Sequence, residues 1–140
     1  MNLEKFTESV QGALQAAQLE AQARHHQQLK PEHLLKALLD EEPTAGTSSN
    51  LTTKLLEACG ASISFITSGI EKELNSIPQV SGSGSGQFYL DSNTARVLKS
   101  ATDIAKKAKD NFVTTERVLQ ALALADDNAS GKILKDAGVT

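Results

Sequence analysis

The sequence predicts an all-α fold made of two copies of one helical unit, and three observations lead there. Leu and Ala supply eighteen residues each against six Val and six Ile, a composition rich in helix formers and poor in β-branched residues. Apolar residues recur at steps of three and four through most of the 140-residue chain, the spacing of an amphipathic helix. Shifting the sequence against itself by 84 positions aligns Leu14 with Leu98, Ala17 with Ala101, Ala21 with Ala105, Glu32 with Glu116, Leu35 with Leu119, Ala37 with Ala121 and Leu38 with Leu122. Six of these seven identities fall on apolar or small-residue faces, and the seventh is an acidic residue in the first turn of a helix. Such placement marks an internal repeat more strongly than the identity does.

The elements follow in order. Phe6, Val10, Ala13, Leu14, Ala17 and Ala21 put one stripe on a helix reaching about His25, with Thr7 placed to accept from its first N–H groups. Pro31 and Glu32 suit the start of a second helix carrying Leu34, Leu35, Leu38 and Leu39 and ending before Pro43. Residues 42–50 have loop composition. Leu51, Leu55, Leu56 and Cys59 then mark a third helix that Gly60 stops. Ser62 caps a fourth, with Ile63, Ile66, Ile70 and Leu74, which ends at Ile77 because the residue before Pro78 is pushed out of the α region.

The SGSGSG run at 81–86 is a flexible linker by composition. It divides one domain, 1–140, into repeat 1 (about 3–77) and repeat 2 (about 89–140), joined by a linker at about 79–88. In repeat 2, Asp91 takes the place of Thr7, and Ile133, Leu134 and Gly138 match Leu55, Leu56 and Gly60 at an offset of 78. The first half therefore carries a loop longer by six residues, a difference that repeats tolerate in loops. About four helices are expected in each half. The last of repeat 2 is cut short at Thr140, as if the chain were part of a longer polypeptide. Neither half buries its stripes alone, so the two are expected to pack with pseudo-twofold symmetry and to share a groove.

Several function classes are disfavoured. A net charge of −3 and a lone basic cluster, Lys106, Lys107 and Lys109, balanced by Asp103 and Asp110, give no footprint for nucleic acid. No apolar run approaches the roughly 20 residues of a membrane span, and the N-terminus has no signal-peptide pattern, so the chain is read as cytoplasmic and without a membrane partner. The GxxxxGK[ST] pattern that cradles phosphate is absent. His25, His26 and His33 lack metal-ligand spacing and sit at a helix end and a helix start, where surface or capping roles are expected. Cys59 continues an apolar helical pattern and reads as a buried thiol without chemistry. No Ser/His/Asp set stands out. Catalysis is therefore not expected of this chain, and neither is a metal or other cofactor.

Five residues stand out for binding. Asp110 and Glu116 flank the pair Phe112–Val113, which reads as an exposed apolar patch, and Thr7 heads the first helix. Acceptors beside an apolar patch suit an extended polypeptide held through its backbone N–H groups.

The paired motifs LKPEHLLKALL and DNFVTTERVLQAL, joined by IPQVSGSGSGQFYL, resemble the Clp repeat N-terminal domains of ClpB-type AAA+ disaggregase chaperones along essentially the whole chain. Arg117 stands where ClpC-like second repeats tend to carry His. The resemblance implies an all-α globule of two pseudo-symmetric Clp-N repeats. It also implies early, weak engagement of unfolded or aggregated polypeptide through a hydrophobic groove and its hand-over to an ATPase ring. Co-chaperones or adaptors are further partners it implies. Thr7, Asp110 and Glu116 match family positions linked to substrate handling, while ATP, magnesium and hexamerisation would belong to ATPase modules outside this chain, so the isolated domain is expected to be monomeric. The alternative is an adaptor-docking domain of a protease-associated Clp ATPase of the ClpA or ClpC type.

Overall fold

The computed structural model describes residues 5–40, 51–77, 89–125 and 129–136. In the first half these form α1 (Glu8–Ala23), α2 (Pro31–Asp40), α3 (Leu51–Ala58) and α4 (Ile63–Ser76); in the second, α5 (Ser92–Lys107), α6 (Thr115–Leu124) and α7 (Ala129–Asp136). The all-α expectation holds. The linker at 79–88 lies outside the described residues, as does the place where a counterpart of α4 would follow α7.

Local chemistry accounts for the helix ends. The hydroxyl of Thr7 accepts from the Val10 N–H at 3.3 Å, the Asp91 carboxylate from the Asn93 N–H at 3.1 Å, and the Ser62 hydroxyl from the Phe65 N–H at 3.3 Å. Each satisfies a backbone donor that the helix cannot, which stabilises its helix by about 1 kcal/mol. Gly60 ends α3 at φ 84°, a left-handed conformation that costs glycine little. α1 stops at Ala23, because His25 turns to φ 60°. Cys59 corrects the sequence reading: it is exposed. α3 ends at Ala58, so Cys59 belongs to the turn into Gly60 and leaves the buried face that Leu56 occupies.

The repeat is visible in the backbone as well as in the side chains. Lys109 at φ 62° stands 84 positions after His25 at φ 60°. The His26 N–H donates to Ala21 O, and the Asp110 N–H to Ala105 O, both at 2.9 Å. Two short parallel pairings hold the halves together. β1 (Gln28–Leu29) pairs with β2 (Tyr89–Leu90), placing Leu29 opposite Leu90, and a bridge joins Phe6 to Val113. Under the offset these are one pairing seen twice: the segment before the first helix of each repeat lies along the segment before the second helix of the other. The Asp91 N–H donates to Leu29 O and the Thr7 N–H to Val113 O, each at 3.1 Å.

Inside, α1 packs on α2 and α5 on α6, while α2, α3 and α4 meet α6 and α7 across the pseudo-twofold. Leu34, Leu35, Leu38, Ile66, Ile70, Leu74, Leu98, Leu122 and Leu134 are fully buried in one shared core. Each contributes roughly 2 kcal/mol by leaving water. α7 begins close against the end of α6: a Cβ on Gly131 would stand 1.8 Å from the Ala125 carbonyl oxygen.

Candidate functional site

The Phe6–Val113 bridge brings three of the five candidate residues together. The Thr7 N–H donates to Val113 O at 3.1 Å and the Val113 N–H to Lys5 O at 2.7 Å, so the 110–114 loop is laced to the start of α1. Phe112 is 54% exposed on this loop. Val113 is not: it is 2% exposed, in the core. The expectation of an exposed Phe112–Val113 pair is corrected here, because the extended backbone of the bridge sends neighbouring side chains to opposite sides. Thr7 is half-buried and its hydroxyl is engaged in capping α1.

Asp110 and Glu116 are placed differently. The Asp110 Oδ2 accepts from the Arg117 Nε at 2.8 Å, a half-exposed ion pair that closes the loop onto the first turn of α6. Arg117 also reaches Gln120 at 2.9 Å. Glu116 is exposed in that same turn, with no ion pair to the other candidates among the described residues. In sequence Phe112 lies between Asp110 and Glu116, on a loop laced to the N-terminus of α1.

The equivalent place in repeat 1 was not foreseen. Positions 26 and 33, the partners of Asp110 and Arg117 under the offset, are both histidines, and His26 Nδ1 lies 2.8 Å from His33 Nε2. His26 is 5% exposed and His33 is 0% exposed, so the expected surface role is corrected for this pair, whereas His25 does sit exposed at the end of α1. The capping role survives in part. The Lys30 N–H donates to His33 Nδ1 at 2.9 Å, the reach from the third residue of a helix back to its cap. That bond fixes the proton of His33 on Nε2, from which it is donated to His26 Nδ1. Both imidazoles are thus neutral; burial first holds their pKa values down, helped at His26 by Arg24 and Lys30 and at His33 by the adjoining imidazole and then Arg24, which brings His33 to about 4. Glu32, the counterpart of Glu116, is 4% exposed and its Oε2 has no hydrogen-bond partner among the described residues. Burial, then the charges of Glu73 and Asp91, push its pKa up.

The described residues contain no group of three or more His, Cys, Asp or Glu placed to hold a metal, and no helix among them is long and apolar enough to cross a membrane.

Comparison with known proteins gives one consistent answer. The Clp repeat (R) N-terminal domain family matches residues 5–137. The chain is 44% identical over its full 140 residues to the chaperone protein ClpB of Mesorhizobium japonicum, and likewise to that of Rhodopseudomonas palustris. It spans about 15% of the length of each. Its fold is similar to the Hsp104 N-terminal domain from Candida albicans, with a TM-score of 0.74 at 21% identity over 97% of this chain and 83% of that one. It is also similar to the N-terminal domain of ClpD from Arabidopsis thaliana, with a TM-score of 0.68 at 20% identity over 99% and 91%. The match is to the N-terminal domain and not to an ATPase module. With both repeats matched across 5–137 and ClpB relatives aligned along its whole length, the chain belongs to the Clp repeat N-terminal domain family.

Proposed function

We propose that this domain makes the first contact with unfolded or aggregated polypeptide on behalf of an AAA+ disaggregase and passes it to the ATPase ring of the same protein. The observation that supports this reading is Phe112, an aromatic ring 54% exposed on a loop laced to α1 and flanked by the carboxylates of Asp110 and Glu116. An apolar side chain of the client covers the ring, while its backbone N–H groups find the two carboxylates and the region of Thr7. Binding of this kind is weak, because a single aromatic anchor on an open surface leaves most of the contact in water. Weak binding suits a hand-over. No cofactor takes part in this step, and ATP with magnesium serves the ring.

The test is a titration of the ¹⁵N-labelled chain with reduced, carboxymethylated α-lactalbumin, a polypeptide that cannot fold. Shifts are expected at Thr7, Phe112 and Glu116, and Phe112→Ala is expected to weaken binding about tenfold. Thr7→Ser keeps the cap and serves as the folded control for Thr7→Ala. A chain that ignores the unfolded polypeptide up to millimolar concentration would overturn this reading in favour of docking to a folded adaptor.

A further inference from the structure

Each repeat carries a groove between its first and second helices, and the two match under the offset of 84. The groove of repeat 1 has a volume of about 410 Å³ and that of repeat 2 about 170 Å³. The substitutions between them explain the difference. Gly12, Ala13 and Ala16 line the first, where Arg96, Val97 and Ser100 line the second. Among the described residues nothing lies within 4 Å of where a Cβ on Gly12 would stand, so the space that repeat 2 gives to an arginine is not filled by any of them in repeat 1.

The charges differ in the same sense. Glu8, Glu20 and Asp40 rim the larger groove, with Lys36 the single cation among its described lining residues. In repeat 2, Leu124 stands at the position of Asp40. Lys36 is held by Asp40 at 2.5 Å and Glu20 by Arg24 at 2.6 Å, and neither cation is paired with Glu8. An apolar floor of small residues under a net negative rim is complementary to a chain that brings a cation and little bulk.

We propose that the groove of repeat 1 docks a short basic segment of polypeptide. Its backbone lies over Gly12 and Ala16, and a Lys or Arg side chain takes the place that Arg96 holds in repeat 2 and points to Glu8. This site lies within one repeat, and no residue of the 110–114 loop lines it, although it begins at Glu8, next to the Thr7 that the loop is laced to.

The probe is the peptide acetyl-Ala-Lys-Ala-Arg-Ala-amide, titrated into the ¹⁵N-labelled 140-residue chain, with acetyl-Ala-Glu-Ala-Glu-Ala-amide as its comparator. The basic peptide is expected to shift Gly12, Ala16 and Ala37 and the acidic one to leave them in place, with the response fading as salt rises. Gly12→Arg copies repeat 2 into repeat 1. Arginine is a better helix former than glycine and the position is open, so this variant folds; it is expected to bind the basic peptide at least tenfold more weakly, and Glu8→Gln about threefold. Wild-type affinity in Gly12→Arg, equal shifts from both peptides, or shifts confined to Phe112 and Val113 would each overturn the proposal. So would shifts that depend on the concentration of the chain alone, which would assign the groove to a second copy.

Discussion

Repeat 1 and repeat 2 tie the same loop to the same helix with different chemistry. In repeat 2 the tie is an ion pair, Asp110 to Arg117 at 2.8 Å and partly open to water. In repeat 1, at the matching positions, it is two neutral imidazoles 2.8 Å apart in the interior. The separation is the same because the backbone is the same: a left-handed residue at His25 or Lys109 turns the chain back, and eight residues later the second helix presents the partner. What differs is solvent. A charged pair buried where His26 and His33 lie would lose its hydration with little in return, while a pair at the rim keeps most of it. The comparison teaches that a repeat conserves the place of a contact more readily than its chemistry.

Four measurements would break or sharpen this comparison. The largest effect is expected from His33→Ala, which removes a fully buried ring and leaves both the Lys30 N–H and His26 Nδ1 without their partner; about 4 kcal/mol should be lost in urea unfolding. Next is Gly131→Ala. Gly131 aligns with Thr53 under the offset of 78, but the shorter connection in repeat 2 presses it onto the Ala125 carbonyl, so the methyl group should cost about 3 kcal/mol. Thr53 shows that the matching position tolerates a side chain when its loop is longer, and full stability in Gly131→Ala would contradict the close approach.

The third measurement is stability against pH. The His33 pKa lies at about 4 in the folded chain, against about 6.5 when unfolded. The unfolded state therefore takes up protons first as pH falls. The contribution of His33 is complete above about pH 6.5 and is lost towards pH 4, at roughly 1.4 kcal/mol per pH unit. His26 adds to the loss in the same direction. The double variant His26→Gln/His33→Gln should unfold with a shallower slope across that window, and an unchanged slope would mean that the imidazoles are charged in the fold. The smallest effect is expected from Arg117→Ala. Its ion pair is half-exposed, so less than about 1 kcal/mol should be lost; a cost equal to that of His33→Ala would erase the distinction drawn between the two ties.

Much of this was legible in the sequence, and what was missed has physical causes. The stripes of α1, α2 and α4 and the caps at Thr7, Ser62 and Asp91 are local features, set by residues two to four apart. The strands escaped because two residues cannot display an alternation. Val113 and Cys59 were misjudged for opposite reasons. Val113 sits in a loop but on an extended segment with one buried side, and Cys59 continues a helical pattern one residue beyond the helix. The histidine pair depends on a turn that brings residues of two helices together, and spacing alone does not reveal it. Yet a signal was present: laid over the second repeat, His26 and His33 fall on Asp110 and Arg117, residues of opposite charge, and such a pairing marks a contact. Of the candidate site, the sequence located the loop and its carboxylates but could not tell which of Phe112 and Val113 faced water.

The crossed pairing of Phe6 with Val113 and of Leu29 with Leu90 also bears on how the molecule forms. Phe6 and Val113 are separated by most of the chain, and closing so long a loop costs entropy before any contact repays it. The sequences of α1 to α4 emerge before repeat 2 is synthesised, but their shared core and the lacing of Thr7 to the 110–114 loop have to wait until repeat 2 has emerged. The Phe112 surface is therefore a late product of folding. A chain arrested after repeat 1 would hold four of the seven described helices and lack the face proposed to meet its clients.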